Sequence, residues 1–597
     1  MSKKIGFMCT AFRDGLQSVY GARVRSEDYL PAVKAAVEAG ITYLETAGGA
    51  LFQSAYFYCQ EDGFDIMDAV RETAGTDAIL QSLARGVNVV GLESQPTDII
   101  NLHAKLFKKH GITTIRNFDA LNDLDNLIPS AKAIVDAGLK HQITVTMMGL
   151  PPQCGGSAHN AEFYVDIVKQ IIDAKVPFDS IAFKDASGTS VPSIVYDVVK
   201  STKKLVSAST PIHFHTHETA GISVIVYKAA IEAGADFIDL SLAPVSGGTS
   251  SPDILVMWNA LHGSGYEIDI DPDKVRNVEE ILKECLNEYF LPPEAMSVEP
   301  LIPWSPMPGG ALTANTQMLR DNNLMDKYPS MISNMTEVVE KGGFGTSVTP
   351  VSQFYVQQAF NNAMYGPWEK IADGYGKMVL GYFGKTPVAP DPKIVKIAEE
   401  KLNLQPTTKT VIELNDSDET KGIEIAKKTL EAQGLPVTDE NVFIVAACKE
   451  KGVAFLQGNG ELGIRKGAKS QTASGNGEYT VTLNGRKYAV KISGDKTYVD
   501  GNEYQTEIVS GIERFPTVVI PGADTPIKSP MPGKIFKVIA KEGDNLSAGD
   551  PLLIIEVMKM ENEVLVEKDG TVTEILVKAG DMVQEGDFLA LLASKTA

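Results

Sequence analysis

The sequence predicts an α/β chain with a TIM-type (β/α)8 barrel first, then a helical lobe and a second α/β module. A small C-terminal β-sandwich closes it. Short β-branched runs alternate with amphipathic helical stretches eight times before about residue 265. The segment from Lys541 recurs from Lys578, 37 positions on, with Lys, Gly, Asp, Gly, Asp and Leu in matching places. Between these regions, residues 467–477 are rich in Gly, Ser and Ala, as a linker is.

Taken in order, the barrel strands are expected to begin near Lys3, Thr42, Ala78, Thr113, Ile143, Ser180, Pro211 and Phe237. Helices are expected over 27–39, 99–109, 161–174 and 220–233, each with apolar residues at i, i+3 and i+4. Gly40, Gly138 and Gly234 follow helix ends, where the chain favours glycine. Eight units, with no Gly-x-Gly-x-x-Gly or Walker-type sequence, argue for a closed barrel over an open doubly-wound sheet. We assign 1–268 to the barrel and 269–404 to the helical lobe, with helices near 274–288, 330–340, 353–362 and 368–377. Residues 405–466 read as the α/β module, with helices over 420–431 and 439–449. Linkers and a small β-element around an Asn484-Gly485 hairpin fill 467–525, and the sandwich occupies 526–597. The tether 509–525 spans on the order of 55 Å fully extended, or about 23 Å as a flexible coil.

The net charge of −21 speaks against nucleic acid or an anionic membrane as partner. Five scattered cysteines without a Cys-x-x-Cys pair suit reduced thiols. The opening Met-Ser-Lys-Lys-Ile-Gly-Phe reads as a strand rather than a signal peptide, and no run approaches the ~18 apolar residues of a membrane span. The expected location is the cytoplasm.

In a TIM barrel, chemistry gathers at the C-terminal strand ends. Those ends hold Arg13, Asp14 and Gln17 after strand one, Arg85 after strand three, Asp119, Asn122 and Asp123 after strand four, and Lys184-Asp185 on strand six. Strand seven has three of the chain's eight histidines, His213, His215 and His217. Side chains two apart on a strand face the same way, so His215 and His217 converge. With Asp14 they make a site for Zn, Mn or Co. Lys184 can join such a site only when deprotonated or converted to a carbamate, because an ammonium has no lone pair. Arg13 and Arg85 have the planar fork that suits a small carboxylate substrate.

These motifs resemble the carboxyltransferases of biotin-dependent enzymes acting on pyruvate and oxaloacetate. The likeness runs through Arg13 to Ser18, Gly48-Gly49-Ala50, Arg85 to Asn88, Phe118 to Asp123, Phe183-Lys184-Asp185, His215-Thr216-His217 and Pro308 to Thr313. Glu556-Val-Met-Lys559-Met-Glu561, with Pro530 to Gly533 upstream, resembles the biotinyl (hammerhead) carrier domain. The resemblance implies biotin on Lys559 and a divalent metal held by Asp14, His215, His217 and a carbamylated Lys184. It places Arg13 and Gln17 at the substrate carbonyl or enolate, Arg85 at its carboxylate, and Thr313 as the hydroxyl moving a proton between substrate methyl and biotin. It makes 405–466, with Thr438 to Phe443, an association segment. Departures are Ala47, Gln53, Leu92 and Ala314, where the family has Trp, Asp, Tyr and no inserted residue. Smaller side chains at the mouth would also admit a 2-oxo acid larger than pyruvate.

With no ATP-binding module legible, the resemblance implies a separate biotin carboxylase partner. This chain would then be the carboxyltransferase and biotin-carrier subunit of a two-subunit pyruvate carboxylase. The alternative is an oxaloacetate decarboxylase α subunit with membrane β and γ partners. Either would be biotinylated by a biotin protein ligase and is expected to form a homo-oligomer. A metal-dependent lyase like the hydroxymethylglutaryl-CoA lyases is a third reading. Lys184 and Thr313 distinguish it, since such lyases need neither.

Overall fold

The computed structural model describes residues 2–466 except 153 and 157, and residues 476–594 except 484–485, 494–495, 500–501, 506–523 and 558–559. Two compact units divide it, one running to Arg465 and one built from the C-terminal strands.

Eight parallel strands close the barrel: β1 (Gly6–Cys9), β2 (Tyr43–Gly48), β3 (Ile79–Ala84), β4 (Thr114–Phe118), β5 (Lys140–Thr146), β6 (Ser180–Asp185), β7 (Ile212–Thr216) and β8 (Phe237–Leu240). β4, β6 and β7 are buried at every position, as strands covered on both faces must be. The expected helices form at Ser26–Glu38, Thr97–Lys109, Ala161–Asp173 and Ser223–Ala233. Two strand starts differ from expectation. Lys3–Lys4 pairs with Tyr266–Glu267 outside the barrel, so β1 begins at Gly6. β5 begins at Lys140, because Lys140 pairs with Thr114 across the ladder.

Beyond the barrel lie helices α1 (Gly309–Asp321), α2 (Tyr328–Lys341), α3 (Val351–Tyr365) and α4 (Pro392–Leu402). The helix expected from 368 starts only at Asp373, because Trp368 adopts φ 63°. Residues 405–466 depart from the α/β expectation. They form α5 (Val411–Asp416), α6 (Ile423–Ala432) and α7 (Asp439–Leu456), with no strand among the described residues. Buried Val442, Phe443, Ile444 and Val445 lie on α7, and Phe443 sits among Phe52, Phe64 and Phe107 of the barrel shell. α7 also breaks at Lys449, which takes φ 49°.

The C-terminal unit opens with a four-stranded antiparallel sheet, β9 (Asn476–Leu483), β10 (Arg486–Ser493), β11 (Lys496–Val499) and β12 (Asn502–Gln505). Leu483 pairs with Arg486 across the expected hairpin, whose Asn484 and Gly485 lie outside the described residues. Two further four-stranded sheets form the sandwich: β13 (Asp524–Lys528), β14 (Gly533–Val538), β15 (Asn545–Leu546), β16 (Pro551–Val557), β17 (Met560–Leu565), β18 (Gly570–Ile575), β19 (Met582–Val583) and β20 (Phe588–Ser594). The 37-residue repeat has a local physical cause. Asp544 and Asp581 each accept from the backbone N–H three residues earlier, at 2.8 and 3.0 Å. Asp550 and Asp587 do the same at 2.7 and 2.8 Å. Gly543 and Gly580 take φ 93° and 98°, which explains the glycine preceding each first Asp. No helix among the described residues is long and apolar enough to cross a membrane.

Candidate active site

Asp14 sits in a single π-turn, Ala11–Gly15, directly after β1, a device that recurs at functional sites. Barrel register sets Lys184 of β6 opposite His215 of β7, and His217 follows just past the strand. Ligand atoms of Asp14, His215 and His217 lie within 4.8 Å of one another, and all three residues are buried. Asp14 Oδ2 is 2.7 Å from His217 Nε2 and 3.6 Å from His215 Nε2. The two Nε2 atoms are 3.0 Å apart, and Lys184 Nζ is 2.8 Å from that of His215.

The outer ring nitrogens explain why these atoms converge. His217 Nδ1 lies 2.7 Å from the Thr249 carbonyl, which only accepts, so Nδ1 holds the proton. His215 Nδ1 lies 2.9 Å from the Asp239 carboxylate. Burial, then the Lys184 charge, pushes the His215 imidazole down to about 3, so it is neutral with its lone pair at Nε2. The Nε2 atoms of both histidines and a carboxylate oxygen of Asp14 thus face one another, each ring held from outside by its Nδ1 partner, and this donor set fits a divalent metal. For this reason Asp239→Asn is expected to weaken metal affinity about 10- to 100-fold, read by chelator competition, while leaving the fold intact.

Burial raises the Asp14 carboxyl, but Arg13, His217 and Lys184 overcome it and hold the group well below the usual range. Burial, then Arg13, lowers the Lys184 amine to about 8, with Asp14 opposing. Arg13 is almost fully buried; its Nη2 meets Glu45 at 2.8 Å and Asp14 at 2.9 Å, and its Nη1 donates to Gln17 Oε1 at 3.2 Å. Gln17 Oε1 also accepts from Ala50 N at 3.2 Å. Gly48 (φ 82°) lets β2 pass this close, since a Cβ there would come within 2.2 Å of the Leu83 carbonyl.

Arg85 is buried, and its Nη1 donates to the carbonyls of Val90 at 2.8 Å and Gly91 at 3.0 Å. Among the described residues no carboxylate lies within ion-pair distance of it, and its Nε has no partner. Burial, with the Arg13 charge, lowers it to about 9. Thr313, on α1, donates to the Ser18 carbonyl at 2.8 Å and lies 3.4 Å from Thr249 Oγ1. Thr313 and His217 therefore meet on the same threonine.

Not every candidate belongs to this cluster. Asp119 accepts from the backbone of Leu121 and Asp123, and Asn122 stitches to Thr146 on β5. Asp123 accepts from Lys385 N, so this motif seats the helical lobe. Asp185 orders its own turn through Ser187, Gly188 and Ser190. His213 stacks on Phe237 with centroids 4.5 Å apart, deeper in the barrel. Gln53 donates to the Ala447 carbonyl on α7. Lys559 falls between β16 and β17, outside the described residues. Sequence reasoning missed Glu45, Asp239 and Thr249, and gave Arg116 no role. Arg116 is fully buried, bonds Asp239 through both Nη atoms and donates to Gln142 at 2.5 Å. The available signal was charge inside otherwise apolar buried strands.

Comparison with known proteins gives three family matches along the chain. Residues 4–282 match the HMGL-like family, 302–497 the conserved carboxylase domain, and 525–592 the family described as biotin-requiring enzyme. The chain is 29% identical to a pyruvate carboxylase subunit of Methanocaldococcus jannaschii, covering 92% of this chain and 93% of that protein. It is 28% identical to the 2-oxoglutarate carboxylase large subunit of Hydrogenobacter thermophilus, covering 94% and 91%. It is also 28% identical to the methylmalonyl-CoA carboxyltransferase 5S subunit of Propionibacterium freudenreichii, covering 77% and 88%. The carboxyl transferase domain of Rhizobium etli pyruvate carboxylase shares the fold, with TM-score 0.70 at 22% identity over 85% of this chain and 89% of that one. The chain belongs to the biotin-dependent carboxyltransferases, joining an HMGL-like barrel, a conserved carboxylase domain and a biotin carrier in one polypeptide.

Proposed function

We propose that the chain moves a carboxyl group between biotin on Lys559 and the pyruvate/oxaloacetate pair, as the carboxyltransferase and biotin-carrier subunit of a two-subunit pyruvate carboxylase. The observation that carries the proposal is the convergence of Asp14, His215 and His217 on one point beside Arg13 and Lys184. Asp14, His215 and His217, with Lys184 as a carbamate, would hold a Zn, Mn or Co ion, which supplies Lewis-acid stabilisation of an enolate oxygen. Biotin supplies the mobile carrier of the carboxyl group.

The chain's own residues do the rest. Arg13 and Gln17 hold the substrate carbonyl oxygen and stabilise the charge that develops there. Arg85, lacking a carboxylate of its own, pairs with the substrate's. The Thr313 hydroxyl takes a methyl proton as it passes its own toward the carrier's nitrogen. The C–H electron pair becomes the enolate, whose carbon forms the new C–C bond with CO2. The reverse sequence breaks that bond and returns the proton to the methyl carbon.

Pyruvate carboxylase subunits of two archaea match over more than nine-tenths of both lengths, which supports this reading above a decarboxylase α subunit. A biotin carboxylase subunit is then the partner that loads the carrier. A 2-oxoglutarate substrate is the second reading, favoured by the carboxylase of that name and by Ala47 and Leu92 in place of larger family residues. Arg85 without a counter-ion suits one carboxylate rather than two, so we place pyruvate first. The test is label exchange between pyruvate and oxaloacetate by the biotinylated full chain, with 2-oxoglutarate and its carboxylated product as a parallel pair. Exchange confined to the first pair is expected. Exchange confined to the second would overturn the substrate assignment.

A further inference from the structure

The loop that holds Arg85 is tied in part to the helices beyond the barrel. Arg85 directly follows β3, and its guanidinium is placed by the carbonyls of Val90 and Gly91, so the course of residues 85–95 sets where its charge sits. That course is strained. Val89, a β-branched residue, takes φ 45° and ψ −103°, a conformation that persists only where surroundings over-determine it. Within the loop, Arg85 N bonds to Val89 O and Gln95 N to Val87 O, both at 2.8 Å, and Asn88 Nδ2 donates to Leu92 O at 2.8 Å.

The outer side is tied by other means. Lys421, just before α6, donates from Nζ to the Ser94 carbonyl at 3.0 Å and to Asn415 Oδ1 at 2.6 Å. Asn415 of α5 donates in turn to Ser94 Oγ at 2.8 Å. Lys449, at the break in α7, pairs with Glu93 at 2.6 Å. A cavity of about 420 Å³ separates Glu93 and Gln95 from Ile425, Ala426 and Val453. On that side, polar ties rather than apolar packing hold the loop.

We propose that Lys421 is a positioning residue for substrate binding: anchored on the helices after the lobe, it clamps Ser94 and keeps the strained loop in the form that presents Arg85 to a carboxylate. This rests on the assignment of Arg85 to the oxo acid's carboxylate. The segment 405–466 then serves the active site directly, in addition to any role in association.

The test uses the biotinylated, metal-loaded full chain and compares Lys421→Met, Lys421→Arg and Arg85→Gln. Lys421→Met raises KM for the oxo acid about tenfold and weakens oxamate binding by the same factor, with kcat within about twofold. Metal content and thermal midpoint stay unchanged, and Lys421→Arg restores KM. Asn415→Ala, which cuts the second tie to Ser94, shows the same KM-against-kcat split and is read in place of Lys421→Met should that variant not fold. The clamp is overturned if Arg85→Gln raises KM while Lys421→Met and Asn415→Ala do not, or if kcat and thermal midpoint fall together. If Arg85→Gln itself leaves KM unchanged, the carboxylate assignment fails, and the clamp with it.

Discussion

Replacing His217 by alanine is expected to strip the metal and lower pyruvate–oxaloacetate exchange about 10³-fold, equivalent to about 4 kcal/mol of lost transition-state stabilisation. The reasoning is geometric. His217 Nε2 is the donor nearest Asp14, and its ring is fixed by the Thr249 carbonyl, so no neighbour can swing in to replace it. With it gone, three of the four proposed ligands remain, Asp14, His215 and the Lys184 carbamate, and Asp14 loses the ring that closes the site against it. Metal stoichiometry by elemental analysis and exchange by the full chain check the result, with the thermal midpoint as the folding control. Unchanged metal content with exchange within tenfold of wild type would show that this cluster is not a metal site.

The second large effect belongs to Lys559→Ala. It should remove biotin altogether, visible as loss of avidin binding, and take exchange to background, a fall of about 10⁴-fold. A tethered group reaches an effective concentration near the millimolar range for a short flexible linker, which micromolar free biotin cannot replace. Lys559→Arg separates charge from chemistry, since a guanidinium keeps the positive charge but offers no amine for acylation. It should behave as the alanine variant does. Persistent exchange in either would refute the carrier mechanism, whatever the state of the barrel.

The barrel was legible because eight strand–helix units repeat a simple rhythm and glycines mark helix ends. The sandwich was legible because its two halves use the same turn chemistry, Gly before Asp. His215 and His217 were legible because a two-residue spacing on a strand fixes a shared face. Within 405–466 the two expected helices form as α6 and α7, but no strand accompanies them among the described residues; Phe443 of α7 packs on aromatic rings of the barrel shell instead. α1 was not anticipated because it begins at Gly309-Gly310, poor helix formers. Gly309 is required there because any side chain would strike the Thr249 backbone.

By itself the sequence determined the barrel, the carrier and the three metal-ligand candidates, because each is written in a repeat, in spacing along one strand, or at a strand's C-terminal end. The tertiary structure alone decided which ring nitrogen of each histidine faces the site, by holding the Nδ1 atoms outward on Asp239 and the Thr249 carbonyl. It alone gave Arg13 two carboxylates and, among the described residues, left Arg85 with none. The physical reason is that charge and tautomer depend on distances between atoms that burial and barrel register bring together from remote parts of the chain.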